Sequence, residues 1–296
     1  KLDADQLASK ALNQHKIEHV FGSAYQTEKA HDLVIIAFPK SKNELAYSLA
    51  MINAYLAQDA RVLFVGDNKG GIKSVAKLAK GYVDNCTKVD SARHCILFEG
   101  NHICVDKPFI QDDWFHYYPV EINDIKLTIA ALPGVFSQQG LDKGTRILLE
   151  NLPKHYNGSM LDFGCGAGII SAFIGKQYPD IEFHLLDISA LAVASAEKTL
   201  AINELKGHTI CSDGLKEVST SFDHIISNPP FHQGLKTHYH ATETFLKTCR
   251  QHLTKKGTLT VVANSFLQYR PIMEQAVGKT ELVIKDKGFN VLVSQN

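Results

Sequence analysis

The glycine-rich stretch MLDFGCGAGIISAFIG, at residues 160–175, constrains the fold of this chain more than any other feature. An apolar strand-like run reaches Asp162, glycines follow at every second position from 164 to 168, and a helix-forming run begins at Ile169. Such a turn between a strand and a helix lets the backbone approach a ligand at the carboxyl end of a parallel sheet. Because position 169 is not glycine, the Gly-x-Gly-x-x-Gly spacing typical of dinucleotide-binding proteins is missing, which disfavours a nicotinamide-dependent oxidoreductase.

Strand-like and helical segments alternate along the rest of the chain. The strand-like segments are continuously apolar in their centres, which is typical of strands buried on both faces of a parallel sheet. One helix is predicted from apolar residues at helical spacing between Leu45 and Leu56. The alternation predicts an α/β fold with doubly wound, mostly parallel sheets. The predicted strands are residues 32–38, 61–66, 94–100, 159–164, 182–187, 208–211, 223–227, 258–263 and 289–294.

Three segments in the first half of the chain resemble three in the second half, in order and in rough spacing: residues 32–42 and 223–233, 61–68 and 258–265, and 87–101 and 280–296. We interpret this similarity as an internal duplication of one α/β unit; chance similarity between two α/β halves is the alternative. No glycine-rich turn precedes the first copy, and Pro39-Lys40 stands where the second copy has Pro229-Pro230. The sequence therefore predicts a degenerate domain at residues 1–108, followed by a ligand-binding domain at residues 109–296.

Two further acidic residues end neighbouring predicted strands. Asp187 follows Gly164 by 23 residues, close to the ~20 expected of an acid that binds a ribose diol. Asp213 ends the next strand, where it could accept a hydrogen bond from an adenine amino group or simply form a surface turn with Gly214. The carboxylate of Asp162 beside the glycine turn would repel a pyrophosphate and attract an ammonium group. S-adenosylmethionine, which carries an ammonium and a sulfonium but no phosphate, matches this arrangement.

The stretch IISNPPF, at residues 225–231, ends another predicted strand. Neither proline has an amide hydrogen for a central strand, so the strand has to stop at Asn228. The Asn228 side-chain oxygen and the Pro229 carbonyl, held by the fixed proline angles, can both accept hydrogen bonds from one planar amino group. Phe231 would stack on the group that carries this amine. We therefore predict that Asn228, Pro229, Pro230 and Phe231 orient an amine towards a methyl donor; a simple strand-ending turn is the alternative.

At these motifs the chain resembles a known family. DFGCGAG (162–168) and NPPF (228–231) look like class I S-adenosylmethionine-dependent methyltransferases that act on planar amino groups. The stretches 132–149, 161–171 and 225–237 are similar to the ribosomal RNA small subunit methyltransferase C family. This resemblance implies two tandem Rossmann-like methyltransferase domains, the first of them degenerate. It also implies methylation of the exocyclic N2 of one guanine, guanine 1207 in the family, in 16S rRNA of the small ribosomal subunit.

The resemblance further assigns residues to the cofactor. It implies that the methionine end of S-adenosylmethionine lies beside Asp142, Gly144 and Thr145. The resemblance and the strand-end reasoning above together imply further cofactor contacts. These are Asp162, Gly164, Cys165, Gly166, Gly168, Asp187, Ile188, Asp213 and Asn228.

Charge gives a weaker indication of how RNA is bound. The chain has 31 basic and 31 acidic residues, so its formal charge is zero and binding to naked RNA by charge alone is disfavoured. Lysines at helical spacing predict a stripe on one helix face, which would bind phosphates or simply face solvent. His232 and Lys236, just after the Asn-Pro-Pro-Phe stretch, would contact RNA or form a polar loop. The predicted stripe consists of Lys69, Lys73, Lys77 and Lys80.

Other features exclude several classes of protein. The six cysteines lack the paired spacing of a zinc site or a disulfide framework, which indicates reduced thiols, no metal and a cytoplasmic location. No apolar run approaches the ~18 residues of a membrane span. We expect a monomer, and because the chain begins with Lys1 we expect its native start to lie further upstream.

Three other functions remain open at this point. A protein glutamine N5-methyltransferase would use the same chemistry, since a side-chain amide is also planar with two N–H donors, and a DNA adenine-N6 methyltransferase would too. A non-catalytic RNA-binding ribosome assembly factor could retain a relic pocket. The intact glycine turn and the intact Asn-Pro-Pro-Phe segment disfavour this last possibility.

Overall fold

The computed structural model describes residues 2–3, 20–229 and 236–296, with side chains from residue 20 to 229 and from 241 onward. These residues group mainly into two compact units, 22–115 and 116–296, which we call the amino-terminal unit and the carboxyl-terminal unit. This division falls between Phe115 and His116; the boundary at residues 108 and 109 inferred from the sequence stays a prediction.

Strands and helices alternate through both units. No helix in the described part of the chain combines the length and the apolarity needed to cross a membrane. The α-helices are α1 Lys42–Ile52, α2 Val75–Leu78, α3 Lys143–Glu150, α4 Ile169–Gln177, α5 Ala190–Ile202, α6 Lys236–Thr248 and α7 Tyr269–Ala276. The strands are β1 Leu2–Asp3, β2 Val20–Phe21, β3 His31–Ala37, β4 Leu56–Asp67, β5 Val83–Ala92, β6 Cys95–His102, β7 His116–Ile122, β8 Ile125–Ala131, β9 Ser159–Phe163, β10 Glu182–Asp187, β11 His208–Cys211, β12 Phe222–Ser227, β13 Leu253–Asn264, β14 Thr280–Asp286 and β15 Phe289–Gln295.

A seven-stranded sheet forms the centre of the carboxyl-terminal unit, in the order β11-β10-β9-β12-β13-β15-β14. The first five strands of this order are parallel, and β15 runs antiparallel to both of its neighbours. Asp162 on β9 pairs with Leu185 on β10 and with Ile226 on β12. Because parallel strands end at the same edge of a sheet, this register places the carboxyl ends of β9, β10, β11 and β12 side by side.

Helices cover both faces of this sheet. On one face, the fully buried Leu161 and Ile225 belong to a core that includes Phe245 of α6 and Met273 of α7. Leu185, whose side chain points to the opposite face, lies where the start of α4 meets α5. Burial on both faces explains why the strands are continuously apolar, and the predicted doubly wound α/β fold is confirmed.

The amino-terminal unit contains a four-stranded sheet in the order β3-β4-β6-β5. Strand β3 is parallel to β4, whereas the β4–β6 and β6–β5 pairs are antiparallel. Strands β12, β13, β15 and β14 have the same order and the same directions. The register also corresponds, because Ala37 pairs with Val65 as Ser227 pairs with Val261. The two sheets therefore support the duplication inferred from the sequence.

The predicted lysine stripe is wrong. The chain turns at residues 68–71, makes a 3₁₀ turn at Ile72–Ser74 and forms only the four-residue helix α2. Gly71, with a φ of 90°, prevents one continuous helix. Lys69, Lys73, Lys77 and Lys80 are all exposed, but no single helix face carries them.

The helix predicted from Leu45 to Leu56 is too long. Helix α1 ends at Ile52, and Leu56 is the first residue of β4. Leu56 is nevertheless buried in the same core as Leu45 and Leu49. The spacing therefore identified core residues correctly, although the last of them lies on a strand.

The hairpin of β7 and β8 is absent from the predicted strands. Asn123 and Asp124 turn the chain with φ values of 49° and 65°, a conformation that these two residue types adopt more readily than most. The side chain of Thr199 on α5 accepts the Ala130 N–H at 3.0 Å and donates to the Ala130 carbonyl at 3.2 Å. Helix α5 thus takes the place of a neighbouring strand along part of β8.

The substitution T199V tests whether the side chain of Thr199 supplies the hydrogen bonds that a neighbouring strand would otherwise make to β8. T199V keeps the side-chain volume but leaves a buried N–H and a buried carbonyl of Ala130 without partners. We expect the free energy of unfolding to fall by about 2–4 kcal/mol, measured by urea denaturation. The control is T209V, which removes an exposed hydroxyl bonded to Glu197 and should change stability by less than about 0.5 kcal/mol. Equal stability of T199V and T209V would contradict the conclusion that the Thr199 hydroxyl satisfies the backbone groups of Ala130.

Candidate active site

The glycine-rich turn connects β9 to α4. Gly164, Gly166 and Gly168 adopt φ values of 70°, 53° and 74°. A Cβ on Gly168 would lie 3.1 Å from the Cα of Ala196 on α5, so this glycine allows the helix to pack closely. A Cβ on Gly166 would come no closer than 3.9 Å to its nearest described neighbour, the carbonyl oxygen of Phe136. The turn is therefore tightly packed at its helical end and open at Gly166, as expected of a backbone that approaches a ligand.

Asp187, at the end of β10, joins the glycine turn to the start of α5. One carboxylate oxygen accepts the Gly166 N–H at 3.0 Å, and the other accepts the Ser189 N–H at 3.0 Å. Burial raises the pKa of this carboxyl group, while hydrogen bonds from backbone N–H groups lower it. Each oxygen has further lone pairs, so the carboxylate can also accept hydrogen bonds from two hydroxyl groups of a ligand.

Asp162, near the end of β9, is fully buried beneath the turn. Its Oδ2 accepts the Ser171 hydroxyl at 2.8 Å and the Ser171 N–H at 3.2 Å. Its Oδ1 is buried without a hydrogen-bond partner among the described residues. Burial raises the pKa of Asp162 to about 7, the bonds from Ser171 lower it, and the nearby Asp187 raises it. An unpaired buried carboxylate oxygen is suited to a cationic or N–H-bearing ligand.

The side chain of Asn228, which follows β12, is held at its nitrogen. The Nδ2 group donates to Thr145 Oγ1 at 2.8 Å and to Asp142 Oδ2 at 3.2 Å. Asp142 caps the start of α3, and the same Oδ2 accepts the Thr145 N–H at 3.0 Å. Both hydrogens of the carboxamide therefore have acceptors, and its remaining hydrogen-bonding capacity is the acceptor Oδ1.

The other predicted residues lie around this edge. Asp213 follows β11 and pairs with Lys216 at 3.2 Å. Burial raises the pKa of Cys165 well above that of an ordinary thiol, so Cys165 stays uncharged. The Ile188 carbonyl accepts a hydrogen bond from the Cys211 thiol at 3.4 Å, which ties the end of β10 to the end of β11.

The structure thus brings most of the predicted site to one edge of the carboxyl-terminal sheet. Pro230, Phe231 and His232 lie outside the described residues. Lys236 is the first residue of α6, and its side chain is likewise outside the described part. The assignment of these residues to a cofactor, an amine or RNA stays a prediction. The predicted residues at this edge are Asp142, Gly144, Thr145, Asp162, Gly164, Cys165, Gly166, Gly168, Asp187, Ile188, Asp213, Asn228 and Pro229.

Two residues of the site were not predicted from the sequence. Ser171 binds the buried Asp162, and its position in the first turn after the glycines was the only available signal. The ring of Phe289, at the start of β15, packs so closely on Gly144 that a Cβ there would lie 2.9 Å from it. Phe289 is far from the motifs in sequence, so nothing in the sequence connects it with them.

The residues at this edge fit the cofactor that the sequence suggests. Asp162, Asp187 and Asp142 make the edge acidic, which opposes a phosphate and favours a cation. The open space at Gly166 and the unpaired Asp162 Oδ1 leave room and hydrogen-bonding capacity for a ligand. No cluster of three potential metal ligands occurs among the residues that the structure describes.

Comparison with known protein families gives matches along nearly all of the chain. A family model described as "Methyltransferase small domain N-terminal" matches residues 3–118, and one described as "Methyltransferase small domain" matches residues 126–293. Ribosomal RNA small subunit methyltransferase C of Colwellia psychrerythraea is 49% identical over 299 residues, covering 99% of this chain and 84% of the relative. The protein of the same name from Vibrio parahaemolyticus is 43% identical, covering 93% and 80%.

A solved structure shares the fold of the whole chain. It is a T. thermophilus 16S rRNA N2 G1207 methyltransferase in complex with AdoMet and guanosine. The TM-score is 0.86 at 24% identity, and the match covers 100% of this chain and 81% of the other. The predicted pair of tandem Rossmann-like domains is therefore confirmed.

The buried Asp162 predicts an unusual dependence of stability on pH. Its pKa is about 7 in the folded protein and near 3.8 when unfolded, so between these values only the folded state holds the proton. Unfolding then releases a proton, and stability falls as pH rises, by up to about 1.4 kcal/mol per pH unit for this group. Relative to wild type, D162N should gain stability as pH rises from 5 to 8, as measured by urea denaturation.

The control for this experiment is D180N, which removes an exposed carboxylate. Its stability relative to wild type should stay nearly constant over the same pH range. A constant difference between D162N and wild type would show that Asp162 is ionised throughout.

Proposed function

Because the chain belongs to the ribosomal RNA small subunit methyltransferase C family, we propose that it methylates the exocyclic N2 of a guanine in 16S rRNA, with S-adenosylmethionine as the methyl donor. The observation that carries this proposal is the Asn228 carboxamide. Its nitrogen is held by Asp142 and Thr145, so its oxygen is left to accept a hydrogen bond from an amine. The finer assignments, guanine 1207 in the assembled small subunit, a monomeric enzyme and a cytoplasmic location, are part of the same proposal.

The acidic edge would hold the cofactor. The two oxygens of Asp187 would accept hydrogen bonds from a ribose diol, and an adenine would follow near Asp213, which lies at the neighbouring strand end. Gly164 and Gly166 would let the backbone approach the ligand, Gly168 lets α5 pack against the turn, and Asp162 would attract positive charge from beneath the turn. When bound, S-adenosylmethionine supplies a methyl group that is activated by the adjoining sulfonium.

The end of β12 would hold the amine. The Asn228 Oδ1 and the Pro229 carbonyl accept the two amine hydrogens, which directs the nitrogen lone pair away from both acceptors and towards the methyl group. As the N–C bond formed, the methyl–sulfur bond would break and leave a neutral thioether; the methylated nitrogen would be acidic and would lose one proton to water. Orientation of this kind can contribute several kcal/mol of the barrier reduction. Phe231 is proposed to stack on the guanine ring.

The base must be unpaired or flipped out of a helix to reach this edge. We expect exposed lysines of the amino-terminal unit to bind the RNA backbone. Lys69 and Lys73 follow β4, at the carboxyl end of its parallel pair with β3. This is the sheet edge that corresponds, by the duplication, to the active-site edge of the other unit. Lys77, Lys80, His232 and Lys236 are proposed as further contacts.

N228A tests the proposed reaction. Purified protein is incubated with labelled S-adenosylmethionine and under-methylated small ribosomal subunits, and the RNA is digested to nucleosides. We expect N2-methylguanosine with wild type, and at least about 100-fold slower turnover with N228A, because one of two acceptors that orient the amine is lost. Cofactor affinity, measured by calorimetry, should change much less.

The matched control is N157A, which removes an exposed Asn side chain and should leave turnover unchanged. Label in protein glutamine instead of RNA would favour the glutamine N5-methyltransferase. Normal turnover by N228A would be incompatible with the proposed role of the carboxamide.

The double variant K69A/K73A tests the proposed RNA surface. Losing two phosphate contacts should weaken binding to small subunits and reduce the dependence of log affinity on log salt by about 1.4–1.8. The control K255A/K279A removes two exposed lysines near the amino end of β13, on the opposite edge of the other sheet. An unchanged salt dependence in K69A/K73A would exclude these two lysines from the interface.

A further inference from the structure

We propose that Thr145 and Asp142 are positioning residues: they determine which end of the Asn228 carboxamide faces the amine. The inference rests on the proposed function of Asn228, and it adds a role for two residues that the sequence connects only with the cofactor. A carboxamide has two ends of nearly the same size, an oxygen that accepts and an NH2 group that donates. Only the oxygen end can bind an amine hydrogen; the reversed group would place N–H against N–H.

The neighbours of Asn228 permit one of these two orientations. An ionised carboxylate only accepts hydrogen bonds, so Asp142 has to face the NH2 group. The Thr145 hydroxyl, 2.8 Å from Nδ2, accepts the second hydrogen. Reversing the carboxamide would bring its oxygen against the Asp142 carboxylate with no hydrogen between them. The Thr145 hydroxyl can turn to donate as well as accept, so Asp142 selects the orientation and Thr145 holds the selected NH2 group in place. These two contacts therefore keep Oδ1 on the side away from α3.

Both sides of this contact are held rigidly. Thr145 is only 4% exposed, and its N–H is bonded to the Asp142 carboxylate in the cap of α3. Gly144 between them packs on the Phe289 ring, which prevents the segment from moving towards β15. On the other side, the Ser227 hydroxyl donates to the Phe163 carbonyl at 2.7 Å and fixes the backbone next to Asn228.

The contact has an electronic consequence as well. A carboxylate that accepts from an amide N–H polarises the amide and makes its oxygen a better acceptor. Asp142 thus favours both the correct orientation and a stronger hydrogen bond from Oδ1 to the amine. Helix α3 precedes β9 in the chain. The hydrogen bonds of Asn228 to Asp142 and Thr145 therefore connect the segment before the glycine turn with the segment after β12.

Thr145 gives the clearest test, because it can be changed without removing the helix cap. T145V keeps the volume and removes the acceptor; T145S keeps the acceptor. We expect kcat for RNA methylation to fall about 100-fold in T145V, as for other losses of precise orientation, and to recover in T145S. KM for the RNA should change little, because the amine is one small part of that interface.

The control for stability is D223A. Asp223, at the amino end of β12, accepts the Ser159 N–H at 3.0 Å and the Thr254 hydroxyl at 2.9 Å, so D223A also loses partly buried hydrogen bonds on this strand. Its kcat per folded molecule should match wild type. A similar loss of kcat in D223A and T145V would mean that T145V acts only by loosening the fold.

A double-mutant cycle separates positioning from a direct role in binding the cofactor. If Thr145 acts through Asn228, adding T145V to N228A should cause no further loss of kcat. A further loss equal to that of T145V alone would overturn the inference. If N228A itself retains full activity, the proposed function fails, and the orientation of Asn228 has to be judged from the measurement below.

Nuclear magnetic resonance of the ligand-free protein observes the contact directly. The two Asn228 side-chain N–H protons should exchange slowly with water in wild type and T145S, and faster in T145V. The resonances can be assigned by their absence in N228A. Fast exchange in wild type would overturn the inference whatever the activity measurements give.

Discussion

The parallel register of β9, β10 and β12 is the constraint on which the site depends. It places the ends of three strands at one edge, and each end carries a polar side chain that could not be buried inside the sheet without a partner. Asp187 accepts hydrogen bonds from N–H groups of the glycine turn and of the start of α5. One carboxylate therefore fixes the positions of two separate segments. The protein's own hydrogen bonds use part of the capacity of Asp187, Asp162 and Asn228, and we propose that the ligand uses the remaining part.

The two copies of the duplicated unit show what this edge needs. Both have a parallel pair followed by an antiparallel hairpin, in the same register. The described amino-terminal sheet has four strands and no counterpart of β9, β10 and β11, whose ends carry the acids of the other unit. Among its described residues, this sheet therefore lacks the acid-bearing strand ends that form the site of the other unit.

The sequence predicted the fold well where burial leaves few alternatives. Segments that are continuously apolar in their centres identified every strand of the parallel core, because such strands must be buried on both faces. The β7–β8 hairpin was missed because its edge is satisfied by α5 side chains such as Thr199, a tertiary pairing that no local pattern reveals. The predicted lysine stripe was wrong for a local reason. The helical spacing of the lysines was read as one continuous helix, although Gly70 and Gly71 interrupt the segment. In the site, the strand-end acids were predictable, whereas the Thr145–Asn228 contact joins segments 83 residues apart.

The orientation of Asn228 also bears on which atom of a guanine is methylated. Two acceptors, Oδ1 and the Pro229 carbonyl, match a group with two hydrogens, and guanine has one such group, the exocyclic N2. The O6 and N7 positions are acceptors, and placing either against Oδ1 would leave two acceptors facing each other at a cost of about 1–3 kcal/mol per unsatisfied group. The same argument applies to any planar amide or amine with two hydrogens. In the proposed reaction, the surfaces that deliver the base would therefore select among these substrates, while the Asn228 side chain and the two residues that hold it would select the atom.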